Sequence, residues 1–283
     1  MTHVVAVATG KGGVGKSSVT SAVAGTLAAH GRRIAVIEID PQGDIADDFG
    51  LREDPDNDGG AAVAESILHG TSLGDGIEAR DNLTYFAGGP VMKQLPRIQG
   101  WTGLESQLSK AIGQLDGYDL ILLDSPPFSD ELQRVSLTAA DRLLIPTSMD
   151  NSSLRALLTI ADRLVEVESV NPGLKPLGVV LWNVPTAASR IRTETRQVLL
   201  EILGDSFPLL KTTIRSAVAT AWECRRRGML PHEVAEMHGG TSTALKVLST
   251  GRVPERPLSS AQNLALDYAT LANEILDRLE ETS

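Results

Sequence analysis

Gly10-Lys11-Gly12-Gly13-Val14-Gly15-Lys16-Ser17-Ser18 follows directly on a short β-branched run, His3–Ala8 (HVVAVA), and leads into an alanine-rich stretch, Ser17–His30. It satisfies the pattern G-x-x-x-x-G-K-[ST], with a strand before it and a helix after it, the setting in which that pattern works. Glycines let the backbone turn tightly and aim successive N–H groups at phosphate oxygens. The helix N-terminus adds about half a positive charge at the same point. Lys16 is placed to reach β- and γ-phosphates, and the Ser17 hydroxyl to bind Mg²⁺. A phosphate site at Gly10–Ser18 is the first expectation.

Outward from this loop the chain alternates between two kinds of segment. Arg33–Ile39, Leu83–Ala87, Leu120–Asp124, Arg142–Pro146 and Leu177–Trp182 read as further strands. Ala61–His69, Gly103–Leu115, Asp130–Ala140, Ser153–Val170 and Arg192–Leu203 read as helices, and a closing helix is expected over about 260–281. Strands that alternate with helices of this length imply βαβ units, and their apolar, non-alternating composition implies burial on both faces. The predicted fold class is α/β, a mostly parallel sheet with helices on both faces. Arg52–Gly60 reads as an exposed loop and Gly239–Pro257 as a segment without period. No repeat or linker divides the chain, so residues 1–283 are expected to form a single domain.

Lys11 is unusual, because a second lysine so near Lys16 is repulsive unless anions neutralise both. The run Lys11–Ser18 resembles the deviant Walker A loop of the ParA/MinD family of P-loop ATPases. The resemblance implies that Lys11 reaches across a nucleotide-sandwich dimer to the phosphates of the partner's ATP. Ile37-Glu38-Ile39-Asp40-Pro41-Gln42-Gly43-Asp44 looks like the same family's segment after the second strand. There Asp40 takes the place of the acidic residue that orients the attacking water near Mg²⁺. Two departures stand out: Glu38 replaces a common Asp, and Asp44 replaces the usual Asn, adding negative charge near phosphate. Ile121-Leu122-Leu123-Asp124-Ser125-Pro126-Pro127 resembles the family's Walker B strand, which implies that Asp124 holds Mg²⁺ through its hydration shell. Asn183, after the strand ending at Trp182, is similar to the family's base-binding position. ATP and Mg²⁺ are the implied cofactors, Lys11, Lys16 and Asp40 the implied catalytic residues, and Ser17, Asp124 and Asp40 the implied metal residues. The resemblance covers roughly residues 3–230.

The chain has 283 residues, 42% hydrophobic and 22% charged, enough to bury a core without cross-links. Its single cysteine, Cys224, excludes an intramolecular disulfide and any cysteine-only metal site on one chain. Nothing at the N-terminus reads as an export signal and no apolar run nears ~20 residues, so a reduced, cytoplasmic protein without a membrane partner is expected. The net charge of −10 argues against nucleic acid at face value, but it is unevenly spread. Glu38–Asp81 holds 13 acidic and 2 basic residues, whereas Thr186–Leu230 holds 8 basic and 4 acidic. The second segment lies where the family carries its DNA-facing arginines, and Arg190, Arg192 and Arg215 are the best matches.

Within the family, an acidic closing segment speaks against a MinD-like membrane cycler, and one cysteine excludes a cluster-bearing reductase. The remaining reading is a ParA-type partition ATPase. It implies an ATP-dependent homodimer, non-specific DNA binding on the nucleoid, and slow hydrolysis stimulated by a centromere-binding, ParB-like partner. Two alternatives stay open: a nucleotide-gated regulatory binder with negligible hydrolysis, kept alive by Asp44, and a MinD-like positioning ATPase.

Overall fold

In the β-branched run after Met1 every second residue must face the same way, and both faces are apolar. The computed structural model, which describes residues 2–97, 103–187, 189–204, 207–238, 248–250 and 258–281, resolves that pattern into a central strand. Strand β1 (His3–Val7) lies between two parallel neighbours, β5 (Leu120–Asp124) and β6 (Arg142–Thr147). Val4 and Ala6 enter one apolar cluster and Val5 and Val7 the other, so the strand is covered on both sides.

The sheet has eight strands in the order β3-β4-β2-β5-β1-β6-β7-β8. Here β2 is Ile34–Glu38, β3 Ile77–Arg80, β4 Leu83–Phe86, β7 Lys175–Val184 and β8 Leu209–Arg215. All the neighbouring pairs are parallel except β3 with β4. Helices α1 (Lys16–Ala29), α2 (Asp44–Phe49) and α10 (Ser260–Glu281) cover one face. Helices α3 (Ala61–His69), α4 (Gln107–Ile112), α5 (Asp130–Ala139), α6 (Asn151–Glu168) and α7 (Ser189–Leu203) cover the other. The predicted α/β class is therefore what the chain adopts. Neighbouring strands β1, β2 and β5 all end at the same edge, where open α/β sheets bind ligands.

Several elements differ from the sequence expectation. The helix expected over Gly103–Leu115 begins only at Gln107, after a tight turn at Leu104–Ser106. Strands β3 and β8, and helices α2, α8 (Val218–Arg227) and α9 (Pro231–Met237), were not anticipated. Edge strand β8 reads LLKTTIR, too polar to stand out, because α10 satisfies it with side chains. Glu274 accepts hydrogen bonds from the Lys211 and Thr212 N–H groups at 2.7 and 2.9 Å, and from the Thr212 hydroxyl. Carboxylates at an outer strand block pairing with another chain. The expected unstructured segment Gly239–Pro257 lies almost wholly outside the described residues.

Helix α1 contains Gly25 in mid-helix, which costs about 1 kcal/mol against alanine by propensity alone. Packing supplies the reason: a Cβ there would stand 2.0 Å from Leu230 Cδ1, and Leu230 is buried. Gly25→Ala should therefore destabilise, by about 1–3 kcal/mol despite the better helix former. Urea denaturation of the two proteins checks this, with a shifted midpoint and an unchanged slope as the expected result.

Candidate functional site

The loop between β1 and α1 turns on two glycines in the left-handed region, Gly13 (φ 74°) and Gly15 (φ 86°). Gly15 is also the N-cap of α1, and no side chain caps that terminus, so its first N–H groups face outward for an anion. Close packing fixes the loop from three sides. A Cβ on Gly10 would stand 2.9 Å from the Ala156 carbonyl oxygen, one on Gly12 3.0 Å from the Phe128 ring, and one on Gly15 2.3 Å from the Trp182 indole. Val14 is buried beneath the loop. Gly10 and Gly15 thus admit only glycine, since the first would meet backbone and the second the indole at a left-handed φ, while a side chain at Gly12 would press on the exposed Phe128 ring; the cradle they leave is backbone.

Lys16, Asp40 and Asp124 converge under this loop. All three are buried, and Asp124 is fully so. Asp124 ends β5 directly beside Glu38 at the end of β2. Its carboxylate accepts hydrogen bonds from the Ser17 hydroxyl at 2.7 Å and the Thr20 hydroxyl at 3.3 Å. Burial pushes the Asp124 carboxyl up to about 7, against the pull of Lys16 and the two hydroxyls and with Asp40 adding repulsion. Asp40 is raised for the same first reason, and its Oδ1 accepts the Gln42 N–H at 2.9 Å. A hydroxyl and a carboxylate side by side, with negative charge only partly offset, are the hard oxygen donors that suit Mg²⁺. The residues present fit such an ion: Ser17 and Asp124 would hold it, with Asp40 close by.

Glu38, one of the two sequence departures, is fully buried. It accepts hydrogen bonds from the Tyr85 hydroxyl and from the Ile45 N–H, the latter at 3.0 Å. Burial, reinforced by Asp124, raises its carboxyl well above the usual range. The longer side chain thus spans from β2 to the start of α2 and fixes the segment that carries Asp40. The other departure, Asp44, opens α2 and stands 3.6 Å from Arg225, which also lies 3.4 Å from Asp48. Its charge is shared with α8. Gln133, which sequence reasoning missed, is buried on α5 and donates to the Thr9 and Pro126 carbonyls at 3.1 and 2.8 Å. It ties the loop's entry to the turn after Asp124. A lone glutamine inside a helix carries no signal of this.

Lys11 lies on the outer side of the loop. Its ammonium donates to both oxygens of Asp150, at 2.8 and 2.9 Å, and to the Ser153 hydroxyl at 3.1 Å. Asp150 is the N-cap of α6, and its carboxyl is held below the usual range by Lys11 first and then by the hydroxyl of Ser148. Ser18, Trp182 and Asn183 border a cavity of about 710 Å³ that opens beside the first turn of α1. Asn183 adopts a left-handed conformation (φ 58°) with its side chain exposed, and the Trp182 indole N–H donates to the Tyr268 hydroxyl at 3.2 Å. The cavity's far wall is α8, including Trp222 and Arg226, and it is large enough for the base and ribose of a nucleotide.

The three DNA-facing candidates fare differently. Arg215 is a correction. Its guanidinium makes two hydrogen bonds to Asp267 of α10, at 2.6 and 2.7 Å, and its N–H makes another at 2.9 Å. It is an internal strut between β8 and the closing helix, with its fork already filled. Arg190 is 90% exposed and, among the described residues, pairs with Glu194 one turn on, a contact of little strength in water. Arg192 is exposed on the same helix.

A family model described as an AAA domain matches residues 2–175. The chromosome partitioning protein ParA of Myxococcus xanthus is 30% identical over 209 residues, 71% of this chain and 71% of that protein. Among solved structures, cobyrinic acid a,c-diamide synthase of Mycobacterium smegmatis with bound ADP and magnesium is 26% identical, with a TM-score of 0.65 over 86% of this chain and 98% of its own. A Cyanothece McdA variant in complex with ATP has a TM-score of 0.75 over 98% and 96% of the two chains. At 17% identity that likeness is one of fold.

The raised Asp124 carboxyl has a consequence for stability. Its value of about 7 exceeds the ordinary unfolded one near 4, so the group stabilises the folded state fully below pH 4 and that contribution is lost as pH rises to 7. Without nucleotide or Mg²⁺, Asp124→Asn should therefore be more stable than the native chain at pH 8, by about 2–4 kcal/mol. The advantage should vanish near pH 4. Urea unfolding at the two pH values measures it, and an advantage independent of pH would contradict the assignment.

Proposed function

Because the chain belongs to the ParA/MinD family of P-loop ATPases, we propose that it is a ParA-type partition ATPase that binds ATP and Mg²⁺ at Gly10–Ser18. In this reading Lys16 and the uncapped N-terminus of α1 hold the phosphates, Ser17 and Asp124 hold Mg²⁺, and Asn183 borders the base. Asp40 orients the attacking water. Lys11 of each subunit completes the partner's site, so that ATP gates a homodimer. The dimer grips DNA without sequence preference until a ParB-like partner stimulates hydrolysis and release, which places the protein on the nucleoid.

The observation that carries this reading is Lys11. Its ammonium is turned to the start of α6, and its carboxylate partner there, Asp150, is half exposed. A lysine serving its own nucleotide has no need of that position, since Lys16 already fills the role. The nucleotide-gated alternative rested on the extra charge of Asp44, and Arg225 now offsets part of that charge, which favours hydrolysis. No helix among the described residues is long and apolar enough to cross a membrane. The DNA-facing side is assigned to α7, with Arg192 and Arg190 as its phosphate contacts in place of Arg215.

Binding to random-sequence duplex DNA, titrated against salt with ATP and Mg²⁺ present, tests the reading. The native protein should bind only with ATP, with log K falling linearly in log salt. Lys11→Ala should lose ATP-dependent binding, and Arg192→Ala should reduce the salt slope by about one. Asp40→Ala should still bind nucleotide and DNA, while phosphate release falls about 100-fold or more. DNA binding that ignores ATP, or full binding by Lys11→Ala, would sink the partition reading.

A further inference from the structure

Helix α2 has six residues, too few to hold a helix in water unaided, so its place is set by what it is bonded to. Asp40 lies just before it in a tight turn. The Gly43 N–H donates to the Asp40 carbonyl at 3.1 Å and the Gln42 N–H to the Asp40 carboxylate at 2.9 Å. A shift of the first turn of α2 therefore carries Asp40 with it. Ile45, Ala46 and Phe49 pack inward, and the remaining face gathers Asp44, Asp47 and Asp48. Asp44 and Asp48 stand one turn apart, where like charges repel. The Asp48 side chain is only 13% exposed, so solvent screens that repulsion poorly.

Arginines answer all three acids. Arg52 takes Asp47 through both carboxylate oxygens at 2.8 Å and reaches the Gln42 carbonyl at 3.4 Å. Arg225 of α8 takes the other two, 3.6 Å from Asp44 and 3.4 Å from Asp48, and donates to the Asp44 carbonyl at 3.4 Å. The second Asp48 oxygen accepts from the Ser21 hydroxyl at 2.8 Å. Helix α8 is a firm support for this bridge. A Cβ on Gly228, at its end, would stand 2.3 Å from the Gly50 Cα, so the two helices finish backbone against backbone. Arg80 donates to the Phe49 and Gly228 carbonyls at 3.1 and 2.9 Å, tying the same two ends together. The far end of α2 is thus pinned by backbone, while its first turn is held from within by Glu38 and from outside by Arg225.

We propose that Arg225 is a positioning residue for hydrolysis: by bridging Asp44 and Asp48 it neutralises the repulsion across the first turn of α2 and keeps the Asp40 turn in place beside the phosphate loop. This rests on the role of Asp40 proposed above and extends it to a residue of another helix. Asp44 also adds repulsion at Asp40 itself. Left without Arg225, Asp44 would disturb that carboxylate both by displacing its turn and through its own field. The aspartate at this position and the arginine of α8 answer each other.

Steady-state hydrolysis of ATP with Mg²⁺ by the full chain tests the assignment, with ATP binding measured in parallel. Arg225→Ala should lower kcat about tenfold or more while KM for ATP stays within about twofold. Arg225→Lys should keep part of the rate. Adding Asp44→Asn to Arg225→Ala should recover most of the loss, because the repulsion is then gone. A second readout needs no nucleotide: hydrogen exchange of the amides of residues 44–49 should quicken in Arg225→Ala and slow again in the double variant. An unchanged kcat in Arg225→Ala overturns the proposal and leaves the ATPase reading standing. A raised KM with kcat intact makes Arg225 a nucleotide contact, and a double variant as slow as Arg225→Ala makes its role one of packing; either result overturns the proposal too. A native chain that binds ATP and releases no phosphate overturns the hydrolytic reading and the role of Arg225 together.

Discussion

Lys16 is one buried ammonium facing buried acid groups, and the rest of the site is arranged around that imbalance. Asp124, Asp40 and Glu38 are all withdrawn from water at the ends of adjacent strands. Burial favours the neutral form of each, so the folded chain works against the charges it has gathered. Two devices hold the arrangement in place. Hydroxyls of Ser17 and Thr20 solvate Asp124, and Tyr85 with the Ile45 N–H solvates Glu38. What remains is a pocket of excess negative potential below an anion-binding backbone loop. A magnesium nucleotide answers both halves of that description, with the cation below and the phosphates above.

The sheet's topology is what brings these groups together. Parallel strands all end at one edge, so a carboxylate that closes a strand is delivered to the same place whichever strand it closes. That is why so much of this site was readable beforehand. Asp40 and Asp124 each directly follow a run of buried aliphatics, and Lys16 closes the glycine loop that follows the first such run, so a local pattern identifies each of them. The α/β class followed from the same runs, because strands covered on both faces have no polar alternation to obscure them. Glu38 was legible as a departure but not in its role, since the Tyr85 hydroxyl that it meets is 47 residues away.

What escaped the sequence shares a single physical cause: side chains stand in for what a local pattern would have shown. Strand β8 hides behind threonines and a lysine because Glu274 and Asp267 of α10 satisfy its backbone from 52 to 63 residues away. Arg215 looked like a phosphate ligand on position alone, and its partner lies in a segment that read merely as a closing helix. Helix α8 carries Arg225, Arg226 and Arg227 in succession, which reads as a basic cluster. In the folded chain Arg225 faces Asp44 and Asp48, Arg226 lies 5.0 Å over the Trp222 ring, and Arg227 pairs with Glu223.

The charge argument changes accordingly. A net charge of −10 with a basic segment suggested an acidic body and a DNA-binding face, yet most of that segment's arginines are committed within the chain. Among the described residues of that segment, α7 carries exposed arginines, Arg190 and Arg192, of which Arg190 pairs with Glu194 one helical turn away. A grip built from so few contacts is weak for one subunit, because each phosphate contact adds only a modest, salt-dependent increment. Two subunits held together double the number of contacts on one duplex and make the second engagement effectively intramolecular. Sparse cations are therefore consistent with the ATP-gated grip proposed above, in which one copy is too weak to hold DNA and two joined copies suffice. In that proposal the same logic applies to Lys11: its bonds to Asp150 satisfy its charge in the single chain, and a partner's phosphates would have to offer a stronger one.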